Sequence, residues 1–567
     1  MELRGKAVSA GYAAGRALCY ERFEAEVPEI LLEEAEIAGA LEQLTRGKEQ
    51  AVAELEALCA RSGEGAPAGA IFRAHLDILR DRVVEKEIRA RIEKDRKCLP
   101  WAVAAVYDKY RELMRKAKNP MFQERAADFE DVKGRVLRCC AGVGETDLSH
   151  LDEPVILVCH DLLPSDTANL DREKVLAIVT EVGGETSHSA ILARNLSIPA
   201  VLGVSDLLTN VKQGDMLAVD AAAGAVWTEP DGEKVSAVLA GRAAWQAEQR
   251  ETAQWRGRPC LTADGQQIGV FLNMGADDDL NAAALEGLDG VGLLRTEFLY
   301  MNSKHMPTEE EQFASYRKIL EGAGGRPVVL RTLDIGGDKT LDYFPLPKES
   351  NPFLGERAIR LCLSHPDLFQ TQLRAALRAS VYGTLWIMFP MIGSLEDIRA
   401  AKAQLERARQ SLTAEGVPFD PEVKVGVMIE IPSIALMADQ VAAEVDFASI
   451  GSNDLVQYLE AADRMNPAVA AYYDSFHPAA FRLIGYTARE FQKAGKPLSV
   501  CGEMAGKPRQ AMILAGLGLR KLSMSPAMVP QVKKTLAGYT QAQLEDLARA
   551  VCAAGSAEQV RGLLPNE

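Results

Sequence analysis

Eight short apolar runs, each followed by a helical pattern, fill the C-terminal part of this 567-residue chain: "IGVFLNM", "GVGLLRTEF", "PVVLRTLD", "LWIMFPMI", "VGVMIEIP", "FASIGSND", "LSVCGE" and "LSMSP". Such a succession leaves few architectures open, because parallel strands need helical crossovers and bury both faces. Eight β-then-α units in a row predict a (β/α)8 TIM barrel. No fixed-period repeat or low-complexity tract accompanies them, which excludes a solenoid.

The functional groups of a barrel sit where its strands end, and here those ends are polar. Arg295 and Glu297 close the second run, Arg331 and Asp334 the third, Glu430 the fifth, Asn453 and Asp454 the sixth, and Cys501 and Glu503 the seventh; Arg464 follows shortly after the sixth. The arginines offer planar forks for carboxylate or phosphate oxygens, and two carboxylates on neighbouring strand ends can share a hard divalent cation. The set suits a small substrate carrying both phosphate and carboxylate. Any one of these charges is more commonly a solvated loop residue or half of an ion pair; recurrence at successive strand ends favours a site. Cys501 alone reads as a packed thiol. With an ordinary thiol pKa of about 8.5 it is protonated at neutral pH, which suits a proton donor.

Ahead of the barrel the pattern differs. Residues 30–140 are helical, with an apolar stripe of Ile37, Leu41, Leu44, Ala51, Leu55 and Leu58 interrupted by Lys48. After the break "SGEGAP", Phe72, Leu76, Leu79 and Val83 begin a second helix. Val103, Val106, Tyr110 and Leu113 mark a third, and Phe122, Ala126, Phe129 and Val136 a fourth, in helical hairpins. From Pro154 the runs "VILVC", "KVLAIVTEV" and "PAVLGV" alternate with helical patterns beginning near Ser165 and Thr186, a small α/β domain ending near Glu229. Residues 231–256 are polar and helix-favouring, an inter-domain linker. The expected division is 1–29, a strand segment belonging to the α/β domain; 30–145, helical; 146–230, α/β; 231–260, linker helix; 261–567, barrel.

The net charge of −16 argues against sequence-independent nucleic-acid binding, so an anionic substrate needs a local basic cluster. No apolar run reaches the roughly 18 residues of a membrane span, and the N-terminus lacks the core of a signal peptide. A cytoplasmic protein without membrane insertion is expected. Ten cysteines with no CxxC pair suggest neither a disulfide framework nor a zinc site.

One further histidine stands out. In "VTEVGGETSHSAILARN" a strand runs through two glycines into a helix near Thr186, placing His188 in the first turn, where free N–H groups and the helix dipole favour phosphate. Imidazole is a nucleophile at neutral pH. From that stretch alone, a hydrogen-bonded structural histidine is an equal alternative. His75, in "IFRAHLDILRD", lies on a helix among apolar positions and reads as packed, relevant only as part of a docking surface.

Together these blocks resemble enzyme I of the bacterial phosphotransferase system, in the PEP-utilising enzyme family. The resemblance runs nearly end to end through "QERAADFEDV", "GGETSHSAILARNLSIPAVLG", "GVGLLRTEFLYM", "LRTLDIGGDK", "NPFLGERAIR", "MFPMI", "VGVMIEIPS", "SIGSNDLVQY" and "CGEMAG". It implies a helical HPr-docking subdomain inserted before a phosphohistidine swivelling domain, then a barrel that binds phosphoenolpyruvate and forms a homodimer. It further implies a cytoplasmic phosphotransferase that moves the phosphoryl group of phosphoenolpyruvate to Nε2 of His188 and on to the carrier HPr, the first step of sugar uptake. By the same resemblance Arg295, Arg331, Asn453, Asp454 and Arg464 hold substrate, with Arg357 and Lys339 nearby; Glu430 and Asp454 hold Mg2+; Cys501 protonates the departing enolate.

The chain departs from the resemblance at Glu185, where the family usually has arginine, in "SAGYAAGRA" near the N-terminus, and in "GSND" for the commoner "GTND". A dikinase or phosphoenolpyruvate synthase is disfavoured because no glycine-rich nucleotide loop precedes the α/β domain. A non-catalytic or specialised regulatory relative acting on an HPr paralogue is the alternative, against which the intact His188, Cys501, Glu430 and Asp454 argue.

Overall fold

A computed structural model describes the chain except residues 21–24, 62–66, 117–119, 144–147, 149–150, 163–169, 172, 185–186, 197, 277–279, 282, 338, 340, 342, 348 and 566–567. It separates into two units, Met1–Glu248 and Gln249–Glu567.

The first unit contains an eight-stranded sheet. Its strands are β1 (Glu2–Arg4), β2 (Lys6–Ser9), β3 (Tyr12–Tyr20), β4 (Val155–Cys159), β5 (Val175–Thr180), β6 (Ala200–Leu202), β7 (Met216–Asp220) and β8 (Ala225–Thr228), in the order β1-β8-β7-β3-β4-β5-β6-β2. β3 and β4 are parallel neighbours in register from Arg16↔Val155 to Tyr20↔Cys159, although more than 130 residues separate them. The helices α1 (Glu34–Arg61), α2 (Pro67–Leu79), α3 (Arg82–Glu93), α4 (Leu99–Arg115) and α5 (Pro120–Ala141) are therefore an insertion between two adjacent strands. β4 is buried at all five positions, the continuous apolar reading of a parallel strand covered on both faces.

The helical stripe is borne out at Leu44, Ala51 and Leu55, which are fully buried. Lys48, its one interruption, reaches Glu85 Oε2 at 3.0 Å, so the break in pattern is a bridge from α1 to α3. The expected second helix is two. α2 stops at Leu79, and Asp81 caps a new helix by accepting from the Val83 N–H at 2.6 Å. Val83 faces solvent at 64 % exposure while Val84, Ile88 and Ile92 are buried. Leu113 is likewise exposed. The helical patterns expected to begin at Ser165 and Thr186 start outside the described residues; the described helix after β5 is His188–Leu196, which His188 opens.

The second unit is a closed barrel of β9 (Gly269–Gly275), β10 (Val291–Arg295), β11 (Val328–Arg331), β12 (Leu385–Phe389), β13 (Lys424–Ile429), β14 (Phe447–Ile450), β15 (Leu498–Val500) and β16 (Lys521–Met524), every neighbour parallel. All eight apolar runs became its strands. Leu293, Val329, Met388, Met428, Phe447 and Cys501 pack together, so the barrel interior is filled by side chains. The multidomain α/β architecture expected from the sequence is the one observed. Among the described residues no helix is long and apolar enough to cross a membrane.

The helix Gly232–Ala253 buries only Val238, in keeping with its polar sequence. Just beyond it, Lys533, at 1 % exposure, donates to the carbonyls of Arg256 at 2.8 Å, Arg258 at 2.7 Å and Gly287 at 2.6 Å. Three partly buried carbonyls thus converge on one buried ammonium. Lys533→Met is expected to cost about 3 kcal/mol, since hydrogen bonds to a charged group contribute roughly 1.5–3 kcal/mol each and orphaned carbonyls carry a desolvation penalty. Denaturant unfolding of the variant checks this; a loss under about 0.5 kcal/mol contradicts a load shared by three bonds.

Candidate active site

Each functional side chain is placed by a strand that has just ended. Arg295 is the last residue of β10 and Arg331 the last of β11; Glu430 follows β13, Asn453 and Asp454 begin the helix Ser452–Glu460 after β14, and Cys501 follows β15. Arg357, Lys339 and Arg464 come from the intervening loops. All of these residues line one cavity of about 510 Å³, together with Glu297, Asp334 and Glu503.

The charges interleave. Asp334, 1 % exposed, meets Arg331 Nη1 at 3.1 Å, Arg357 Nε and Nη2 at 3.2 and 3.3 Å, and Lys339 Nζ at 3.5 Å. Burial opposes its ionisation, but Arg331, Lys339 and Arg357 overturn that and hold its carboxyl far below the usual range. Arg357, itself 2 % exposed, also reaches Asp454 Oδ1 and the Tyr458 hydroxyl, at 3.3 and 3.2 Å. Asn453 and Glu503 hold one another: Asn453 Nδ2 donates to Glu503 Oε1 at 3.3 Å and the Glu503 N–H donates to Asn453 Oδ1 at 3.1 Å.

Glu430 lies differently. It is fully buried, and burial together with the carboxylates of Asp454 and Asp334 pushes it up to about 8, against the pull of Arg331 and Arg357. Its Oε1 accepts from the Met391 N–H at 2.6 Å, while Oε2 has no hydrogen-bond partner among the described residues. Met391 makes that contact from a left-handed backbone (φ 55°), a conformation costly for a non-glycine residue. Gly451 permits the close approach opposite, since a Cβ there would stand 2.7 Å from Glu430 Oε2.

A neutral, half-satisfied carboxyl beside a second carboxylate is a place for a cation. Among the described residues no group of three His, Cys, Asp or Glu side chains could hold a metal. Glu430 and Asp454 offer two carboxylates, and Mg2+ commonly takes one or two and fills its shell with water and substrate oxygens.

Cys501 is 3 % exposed, with Sγ 3.7 Å from the Ile450 carbonyl oxygen. Burial raises it to about 11, against the lowering influence of the nearby Ser449 hydroxyl and the charge of Arg331, so it is a thiol at neutral pH. The cavity can thus take an anion with phosphate and carboxylate groups, hold a divalent cation and offer one proton.

The residues picked from strand ends are brought together. His188 belongs to the other unit; it starts its helix, and its side chain lies outside those described, as do Glu185 and Thr186. The neighbouring Ser189 donates to Asp161 Oδ1 at 2.9 Å and to the Leu162 carbonyl at 3.1 Å, tying the helix start to the end of β4. His75 is packed, at 1 % exposure with Nε2 3.3 Å from Asp128 Oδ1 between α2 and α5. Reading by strand ends missed Tyr458, whose hydroxyl also donates to the Phe353 carbonyl at 2.6 Å. Its spacing of four from Asp454 on one helix places both on one face and was the available signal.

Residues 4–125, 151–224 and 249–541 match three family models, described respectively as PEP-utilising enzyme N-terminal, mobile domain and PEP-binding domain. Among curated proteins, a phosphoenolpyruvate-protein phosphotransferase of Geobacillus stearothermophilus is 43 % identical over 98 % of this chain and 96 % of its own length. Those of Priestia megaterium and Staphylococcus aureus are 41 % and 40 % identical, over 99 % and 100 % of this chain and 98 % and 99 % of their own lengths. Identity at this level over the whole chain, with a barrel whose strand ends gather cations, carboxylates and a thiol, means that this protein is an enzyme of the PEP-utilising family, in the group of the phosphoenolpyruvate-protein phosphotransferases.

Proposed function

We propose that the protein takes the phosphoryl group of phosphoenolpyruvate onto Nε2 of His188, releases pyruvate, and passes the phosphoryl group to a histidine of the carrier HPr. The observation that carries this reading is the single cavity in which five basic residues, the Glu430–Asp454 pair and a protonated Cys501 converge. Arg295, Arg331, Arg357, Lys339 and Arg464 neutralise phosphate and carboxylate, and Asn453, held by Glu503, orients the substrate. As the P–N bond to His188 forms, the P–O bond to the enol breaks and its electron pair stays on the departing enolate. The Cys501 thiol delivers its proton to the methylene carbon of that enolate, giving pyruvate; the thiolate recovers a proton from solvent. Mg2+, held by Glu430 and Asp454, would supply positive charge where the departing enolate gathers negative charge.

In this reading residues 30–145 dock HPr, residues 1–29 and 146–230 carry the phosphohistidine, 231–260 form the linker, and 261–567 bind phosphoenolpyruvate and form a homodimer in the cytoplasm. The nucleophile and the cations belong to different units, so turnover includes a domain motion.

Incubation with phosphoenolpyruvate labelled in its phosphoryl group, with Mg2+, is expected to place an acid-labile, base-stable label on the wild-type chain and none on His188→Ala. Added HPr should then remove the label. An unlabelled wild-type chain rules the transferase reading out, and transfer to an HPr paralogue in preference to HPr favours the specialised regulatory role.

A further inference from the structure

Glu297 is an anion inside an anion site. Its side chain is 2 % exposed and lines the cavity whose cations await phosphate. One oxygen, Oε1, accepts from both Arg331 Nη2 and Lys339 Nζ, the latter at 2.9 Å; the other, Oε2, is buried with no hydrogen-bond partner among the described residues. Arginine–carboxylate pairs are frequently bidentate, with two parallel bonds that use both carboxylate oxygens. Here two cations share one oxygen. Arg331 Nε is also buried without a partner, and Arg331 Nη1 divides itself between Asp334 Oδ2 and the sulfur of Met428 at 3.9 Å, a weak acceptor. Burial opposes ionisation of Glu297, and Arg331 and Lys339 outweigh it, holding the carboxyl below its ordinary range.

We propose that Glu297 is a positioning residue for phosphate: its Oε1 occupies Arg331 and Lys339 in place of a phosphoryl oxygen, and its charge weakens binding of the substrate's phosphate in the ground state. The inference rests on the phosphoenolpyruvate reading of the cavity. Two consequences follow. The cations are already ordered when substrate arrives, so binding costs little side-chain entropy. The repulsion also acts unevenly along the reaction, because a loose, metaphosphate-like transition state carries less charge on its equatorial oxygens than the phosphate it came from. Repulsion that relaxes on the way to the transition state lowers the barrier instead of being lost as uniform binding.

The test uses the full-length chain carrying His188→Ala, which cannot turn over, with phosphoenolpyruvate and Mg2+ titrated by calorimetry. Adding Glu297→Gln is expected to tighten binding about tenfold, the scale of removing one like charge at short range in a screened site. Glu297→Asp, which keeps the charge, is expected not to tighten it. With His188 intact, Glu297→Gln is expected to lower KM for phosphoenolpyruvate and kcat together. A residue that only braced the fold would weaken binding when altered, so equal or weaker affinity in the Gln variant overturns the proposal. Glu297→Met, uncharged and of similar volume, reads the same sign should the Gln variant fail to fold. If the His188→Ala chain binds no phosphoenolpyruvate, the cavity reading falls and this one with it. Good binding there combined with weaker binding in the double variant sinks the role of Glu297 alone.

Discussion

Glu430→Gln is expected to abolish phosphorylation of His188 while making the substrate-free protein harder to unfold. The loss of activity follows from its place. It supplies one of two carboxylates proposed to hold the cation, and several kcal/mol of charge stabilisation corresponds to a fall of about 10³-fold in rate. The gain in stability follows from the same burial. Folding takes Glu430 from an ordinary carboxylate pKa to about 8, so the unfolded chain gives up this proton more readily than the folded one. Stability associated with Glu430 is therefore intact below pH ~4.5, falls as pH rises, and is lost once pH passes about 8. The glutamine amide has no such proton to lose, and its oxygen can still accept from the Met391 N–H. The variant's advantage should be near zero in mild acid and reach a few kcal/mol above pH 8. Denaturant melts at several pH values check the trend; a variant less stable than the parent at pH 8 refutes the burial argument, whatever happens to activity.

Asp334→Asn should do the reverse in the same cavity. Asp334 faces Arg331, Arg357 and Lys339, two of them among the most buried cations of the barrel. Removing its charge leaves those cations with too little compensation, and breaking a buried ion pair from one side typically costs about 3–5 kcal/mol. Its folded pKa is depressed, so the stability it confers is present above the ordinary carboxylate range and persists until strong acid. At pH 7 the variant should unfold at clearly lower denaturant concentration, and the deficit should shrink only when both proteins are taken to acid. A loss below about 1 kcal/mol at pH 7 would show that the neighbouring carboxylates suffice without it.

Much of the architecture is legible in the order of residues. The barrel is plain there because strands covered on both faces read as unbroken apolar runs, and charged residues just past those runs are expensive unless they serve the open end of the barrel. Arg295, Arg331, Glu430 and Asp454 stand out on that ground as a set, not singly, while Cys501 by itself reads as a packed thiol. The helical half is less clear. Asp81 separates two apolar patterns that can be read as one, and Val83 continues the period of the helix before it while belonging to the exposed face of the helix after it. Lys48 breaks a stripe for a reason that lies 37 residues away, in Glu85. Nothing local reveals that α1 to α5 are inserted between two hydrogen-bonded neighbours, since the pairing of β3 with β4 closes over the whole insertion.

The linear order of residues settles which segments become strands and helices and which strand ends are polar, because periodicity and side-chain chemistry act over a few neighbouring positions. It does not settle what those polar ends do. Glu430, Asp334 and Glu297 are all acidic residues placed just after a barrel strand, and nothing in their immediate neighbours separates them. Closing the ring of strands surrounds Asp334 with three cations, gives Glu297 two on a single oxygen, and sets Glu430 against two carboxylates. Charge interactions strengthen once water is excluded and depend on neighbours far apart in the chain. The tertiary structure alone therefore decides which carboxyl is ionised, which is neutral, and which holds two cations on one oxygen.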